Sequence, residues 1–372
     1  MSNPRNITLH FIQDIPTPHN NVLLRTLAED VTMDLRIWYG RLTHPKYSFS
    51  ADLGYEVGRP IVYGHRLPSL RLIKTALLHR KDRFFIVGWM NPTMRLLILL
   101  FWLLRRPFNM WFDLPADHAT HPVKKVARQL YYFLLRTSSA KIFAVGSAAM
   151  QFFKRKGFAE NRLVNFPIFV SVEKPLDAYR EHCKEIRKKY GVSDEDLFIT
   201  TGSRLIHEKG FDLLIQAIAM LDDSIKAKIK LLIVGRGPEK QALEGQVLSC
   251  RLEGQVFFED WMDYDALMAH IGSSDLAAHP ARFDAFGGTT LSAMVAGTPV
   301  LGSRQAGSAS ERIVHGKSGW LYHSMDVASL AHYLAVAVQE KPKLKSMGRS
   351  ARQTAEKWSP ALGVRLMKEH LV

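Results

Sequence analysis

Three short stretches in the second half of the chain carry side chains suited to holding an anion. GSRLIHEKGFD (202–212) sets Arg204 and Lys209 in one loop between an apolar run and a helical one. Two cations beside a helix N-terminus suit a diphosphate, because the guanidinium offers a fork of donors and the ammonium a point charge. VGRGP (234–238) follows a second apolar run, and Gly235 lets backbone approach a ligand. In ARFDAFGGTTLSAMVAGTPVLGS (281–303), Gly287 and Gly288 leave backbone N–H groups clear where a helix starts, and Thr289 and Thr290 add hydroxyls. Asp284, just ahead, is placed either to accept hydrogen bonds from sugar hydroxyls or to form the turn and cap the helix. Taken singly, each stretch also reads as ordinary loop chemistry.

The elements that must position these loops alternate between β and α. LFITTGS (197–203), KLLIVGRGP (230–238), VFFEDW (256–261), DLAAHPA (275–281) and GWLY (319–322) read as strands. FDLLIQAIAML (211–221) has helical spacing, and the last helix is expected at about 360–371. The first half repeats the alternation with ITLHFI, LRIWYG, RFFIVGW, FNMWFDL and AKIFAVG as strands. Such a pattern predicts α/β architecture with doubly wound parallel sheets. Ligands of such sheets bind beyond the carboxyl ends of the strands, where all three loaded loops lie. At 372 residues the chain is too long for one ordinary core and suits two domains. Expected boundaries are 1–175, 176–356 and a C-terminal helix, 357–372, returning to the first domain.

Together, GSRLIHEKG, VGRGP, DAFGGTTLSAMVAGTPV and AGSASERIVHGKSGW resemble, in order and spacing over residues 197–322, the second domain of the family 4 glycosyltransferases. The resemblance implies the GT-B fold, two Rossmann-like doubly wound domains facing each other across a cleft. It implies a metal-independent, retaining glycosyltransferase that uses a nucleotide-sugar donor and no further cofactor. UDP is the commonest donor nucleotide in that family and GDP the main alternative. By the same resemblance, Arg204 and Lys209 bind the diphosphate, and Gly235 with the loop from Phe286 through Gly287, Gly288 and Thr289 to Thr290 contacts phosphate and sugar. Asp284 takes the place of a glutamate that addresses the sugar hydroxyls. Ser292 departs from the pattern, standing where a second glutamate usually holds the ribose. A serine cannot make a bidentate, charged hydrogen bond, and the expected loss is on the order of 1–3 kcal/mol.

The first half resembles the family only in topology. Its acceptor side is expected in DIPTPHNN (14–21), with His19, Asn20 and Asn21 as candidate hydrogen-bonding groups or as a capped helix start. A family histidine near the donor sugar has two candidate counterparts here, Asp113 and His118. Charge is concentrated in this half: residues 1–170 hold 24 Lys+Arg and 10 Asp+Glu, leaving the remainder of the chain near neutrality. HPVKKVARQLYYFLLRT (121–137) gives an apolar face of Val123, Val126, Ala127, Leu130, Phe133 and Leu134 at helical spacing. That face either lies on an anionic bilayer or packs on the sheet. The charge and this face suggest a cytoplasmic protein, peripheral on the inner face of the membrane, and the resemblance implies a glycan or lipid-linked acceptor in bacterial surface polysaccharide or lipopolysaccharide synthesis.

Other readings are weaker. The run Leu96–Leu104 has nine apolar residues, far short of the roughly 20 a membrane span needs. MSNPRNITLHF lacks the apolar core of a secretory signal, and two distant cysteines, Cys183 and Cys250, form no disulfide framework. A metal-dependent transferase would use a DxD, but Asp194–Asp196 precedes a strand and Asp263–Asp265 opens a helix. His118 and His121 lack companion ligands, so no metal site is expected. A nucleic-acid binder would explain the charge and none of the second-half loops. A glycosyltransferase-like scaffold that has lost turnover is the alternative that Ser292 raises.

Overall fold

The computed structural model describes residues 7–43, 51–115 and 122–372. The chain divides into two compact units, Met1–Phe169 with Ser359–Val372, and Val170–Trp358. In the first unit the order is β1 (Ile7–Gln13), α1 (Pro18–Ala28), β2 (Met33–Tyr39), β3 (Ile61–Val62), α2 (Leu70–Leu78), β4 (Arg83–Val87), α3 (Pro92–Leu103), β5 (Phe108–Phe112), α4 (Pro122–Thr137), β6 (Ala140–Ala144), α5 (Gly146–Arg155) and β7 (Leu163–Asn165). The second unit runs α6 (Cys183–Lys189), β8 (Leu197–Gly202), α7 (Phe211–Ala219), α8 (Asp223–Lys226), β9 (Ile229–Val234), α9 (Lys240–Ser249), β10 (Val256–Glu259), α10 (Tyr264–Gly272), β11 (Leu276–His279), α11 (Gly288–Val295), β12 (Val300–Ser303), α12 (Gly307–Arg312), β13 (Gly319–Tyr322), α13 (Val327–Gln339) and α14 (Lys341–Lys357). The last helix, α15 (Pro360–His370), belongs to the first unit.

Both sheets are parallel, in the orders β3-β2-β1-β4-β5-β6-β7 and β10-β9-β8-β11-β12-β13. Strands covered on both faces need near-continuous apolar sequence, and β9 (IKLLIV) and β4 (RFFIV) supply it. The order reverses direction between β1 and β4 in one sheet and between β8 and β11 in the other. At each reversal the flanking loops diverge and open a crevice at the carboxyl ends of the strands. The loops after β8, β9 and β11 are the three loaded stretches of the sequence.

Two features shape the surface of the first unit. Helix α15 packs beside α1, with Gly363 set against Leu23 and Phe169 too closely for a larger residue. Lys368 on α15 bonds Asp30 at 2.8 Å and the Thr32 hydroxyl at 2.9 Å, and Val372 donates its N–H to Asn109 at 3.2 Å. Right-handed crossovers put α2, α3 and α4 on one face of the sheet, where they neighbour one another. Helix α4 does not bury the face that its spacing suggested. Tyr132, Leu134 and Leu135 turn into the core, while Val123, Val126, Leu130 and Phe133 stay exposed. Tyr132 and Leu135, one turn apart, form the ridge that packs into the core of the first unit.

Candidate donor site of the second unit

The site is assembled by two loops that are tied together before any ligand is considered. The β8 loop passes through Arg204 to a short turn, His207–Lys209, and Gly210 starts α7. The β11 loop lies against it: Arg282 and Phe283 donate their backbone N–H groups to the Glu208 carbonyl, at 2.9 and 3.2 Å. The Arg282 guanidinium makes a fork on the Asp212 carboxylate, at 2.6 and 2.5 Å, fixing the loop to the first turn of α7. From the other side, Asp284 N–H donates to the Gln305 carbonyl at 3.1 Å, and Gly307 N–H donates to Asp284 O at 3.0 Å. The acid is therefore held by its backbone on both flanks.

At the centre, Lys209 Nζ and His279 Nε2 both meet Asp284 Oδ2, the histidine at 3.1 Å. Lys209 and Asp284 are mostly buried. Burial alone would raise the Asp284 carboxyl, but the His279 hydrogen bond and the Lys209 ammonium outweigh it and hold the pKa at about 2. Asp284 is thus a carboxylate throughout the physiological range. Gly287, at φ +89, is the N-cap residue of α11, and its backbone lies against Asp284 and His279. A Cβ there would sit 2.5 Å from both Asp284 Oδ2 and His279 Cε1. Gly235, at φ +149, likewise has backbone where a side chain would be, against Ser203.

The other candidates are distributed unevenly. Arg204 is exposed at the mouth of the β8 loop. Phe286 is buried and lies under the Arg312 guanidinium. Gly288 is the first helical residue of α11. Thr289 spends its hydroxyl on the Gly202 carbonyl at 2.9 Å, joining α11 to the end of β8. Thr290 is fully buried, its hydroxyl 2.8 Å from His279 Nδ1. Ser292 is half-buried on α11, within hydrogen-bonding reach of Tyr264 on the neighbouring α10. Sequence reasoning passed over His279, which reads as the last residue of an apolar strand. Its signal was an imidazole at a strand end, five residues before an acid.

The first-unit candidates lie at the carboxyl end of β1. The Thr17 hydroxyl caps α1 by accepting from Asn20 N–H, so the PHNN stretch is a capped helix start. Asn20 donates to Gln13 at 2.7 Å, and Asn21 is buried, donating to the Leu53 carbonyl and Glu56. Burial holds the His19 imidazole below its ordinary range. A polar cluster beside them was not foreseen: Asp14 accepts from Arg41 at 2.8 Å and from Asn91 at 2.9 Å, and Asn91 also donates to Tyr63. These residues come from the loops after β1, β2, β3 and β4, which no local pattern links. Asp113 is exposed and accepts from the Leu114 N–H, while His118 lies outside the described residues. The DxD spellings have structural roles: Asp196 accepts from Ser193, and Asp263 caps α10. Among the described residues no cluster of three metal-ligating side chains occurs.

Two parallel sheets, one of seven strands and one of six, with an anion-suited site at the second sheet's reversal, define the GT-B class. The similarity to solved structures agrees with that class. The chain is similar to Anabaena HepE, crystallised with UDP, at TM-score 0.77 and 19% identity over 98% of each chain. It is also similar to WaaG, a glycosyltransferase of lipopolysaccharide biosynthesis, at TM-score 0.67 and 16% identity over 96% of this chain and 98% of that one. Residues 183–354, which lie within the second unit, match the family described as Glycosyl transferases group 1. The N-acetyl-alpha-D-glucosaminyl L-malate synthase of Bacillus anthracis is 28% identical over 47% of this chain and 45% of its own length. An uncharacterized glycosyltransferase of Methanocaldococcus jannaschii is 33% identical over 37% of this chain and 34% of its own. The matched region spans less than half the length of these curated relatives.

Proposed function

We propose that the protein is a metal-independent, retaining glycosyltransferase that moves a sugar from a nucleotide donor, UDP-linked in the first instance and GDP-linked as the alternative, to a glycan or lipid-linked acceptor. The observation that carries this reading is the Lys209–Asp284 pair beneath the start of α11, at the reversal point of the second sheet. Lys209, the exposed Arg204 and the N–H groups at Gly287–Thr289 are placed to receive a diphosphate and to stabilise the charge that grows on it as the glycosidic bond breaks. Asp284 then addresses the sugar hydroxyls. The acceptor hydroxyl attacks from the face the nucleotide leaves, and its proton passes to the departing phosphate, so no enzymic base is needed. The cluster of Asp14, Arg41 and Asn91, with His19 and Asn20, is the first unit's contribution to acceptor binding.

Calorimetric titration with UDP and with GDP, without added metal, tests the donor class. One nucleotide should bind. Ser292→Glu should tighten it about 5–10-fold by restoring a charged ribose contact. Binding of neither nucleotide would overturn the reading. Binding without turnover of any donor–acceptor pair would favour the altered scaffold that Ser292 suggests.

The acceptor is proposed to lie at an anionic membrane surface, on the inner face of a bacterial cytoplasmic membrane, in surface polysaccharide or lipopolysaccharide synthesis. Support comes from the face shared by α2, α3 and α4. It exposes Leu70, Leu78, Leu103, Val126 and Phe133 beside Arg71, Lys74 and Lys125. Exposed apolar side chains together with cations on neighbouring helices suit a headgroup region of negative charge. Among the described residues no helix is long and apolar enough to cross a membrane. The protein should float with phosphatidylglycerol vesicles at low salt. Leu70→Gln, Leu103→Gln and Phe133→Gln together should weaken that binding about 10–100-fold. Equal flotation of parent and triple variant would remove this surface from the account.

A further inference from the structure

We propose that His279 is a positioning residue for Asp284, keeping the carboxylate aimed and ionised once Lys209 turns to the donor's diphosphate. The inference rests on the donor-site reading of Lys209 and Asp284 given above. One oxygen, Asp284 Oδ2, takes both Lys209 Nζ and His279 Nε2. An ammonium that turns its N–H donors toward a diphosphate gives up part or all of that contact. When it moves, a mostly buried carboxylate loses a charge partner, and burial by itself favours protonation. A neutral acid at 284 would be a poor acceptor for sugar hydroxyls.

The imidazole is the partner that stays. Its side chain is only 4% exposed, at the end of β11, and the Gly287 backbone covers it. A carboxylate oxygen only accepts, so Nε2 carries the proton and donates to Asp284. In the neutral ring Nδ1 then accepts, and the Thr290 hydroxyl at 2.8 Å donates to it. Thr290 sits in the first turn of α11, so the orientation of Asp284 is set by the same helix whose N-terminus faces the ligand. Although threonine, histidine and aspartate stand in line, Thr290 is fully buried, and the series orients an acceptor and supplies no nucleophile.

The test separates sugar from nucleotide. His279→Leu, His279→Gln and Thr290→Val are titrated with UDP and GDP, and assayed for release of nucleoside diphosphate from UDP-glucose, UDP-N-acetylglucosamine and GDP-mannose. His279→Leu should leave affinity for the bare nucleotide within about 2-fold and lower kcat/KM for the sugar nucleotide about 10–100-fold. His279→Gln, which keeps an N–H donor, should recover most of that loss. Thr290→Val should act in the same direction, by about 3–10-fold. Thermal unfolding identifies any variant that fails to fold, and the glutamine and valine variants then decide. Equal losses for nucleotide and sugar nucleotide, or leucine and glutamine variants that behave alike, would overturn the proposal. A parent protein that binds neither nucleotide overturns the donor-site reading itself, which is a separate result.

Discussion

Lys209→Ala lowers the rate of sugar transfer by about 10²–10³-fold, with nucleotide affinity falling alongside it. The change removes the buried cation proposed to meet the diphosphate, and it leaves Asp284 facing an incoming anion with only the imidazole beside it. Like charges then replace an attraction in a site with little water to screen them. Asp284→Asn should show the complementary profile. It frees Lys209, so the bare nucleotide binds as well as before or better, while transfer is lost with the sugar contacts. Calorimetry with the bare nucleotide beside a transfer assay distinguishes the two variants. Equal loss of nucleotide binding in both would mean that the pair is a structural strut and that the diphosphate lies elsewhere.

Gly287→Ala is expected to cost about 2–4 kcal/mol of stability and to abolish transfer. Two penalties combine. The backbone, at φ +89 and ψ 129, lies in a region that side-chain-bearing residues avoid. The added methyl also lands on Asp284 Oδ2 and His279 Cε1, the atoms of the site. Gly316→Ala separates the terms, because Gly316 also has positive φ, +76, but nothing lies within 4 Å of the place its added methyl would take. That control should cost only about 1–2 kcal/mol. Thermal unfolding of both variants checks the difference. Similar losses would show that backbone conformation alone sets the cost and that the loop yields around the site.

Much of this was legible in the sequence, for reasons that differ along the chain. Strands buried on both faces must be apolar for their whole length, so LLIVG and RFFIVG declared themselves without any partner in view. The position of the three loops at the ends of β8, β9 and β11 was legible because their glycines and polar residues come as short local runs directly after apolar strands. Three things were not. The partnership of Lys209 with Asp284 spans 75 residues and depends on two loops sharing the Glu208 carbonyl. His279 looked like the end of a strand because its role exists only once Thr290 is placed beside it. The direction of the apolar face of α4 stayed open because periodicity marks which residues share a face, not whether that face meets the sheet or the solvent.

The chain's path has a consequence for how the molecule is made. Residues 170–358 form the second unit without interruption, while the first unit needs α15, which follows them. A nascent chain can therefore finish its second unit while Leu23, Phe169 and Asn109, the residues against which 363 and 372 settle, still lack their cover. The part translated first is the part completed last. Termination before Ser359 would release a finished second unit attached to a first unit with an open apolar seam, the kind of species that chaperones retain and proteases clear.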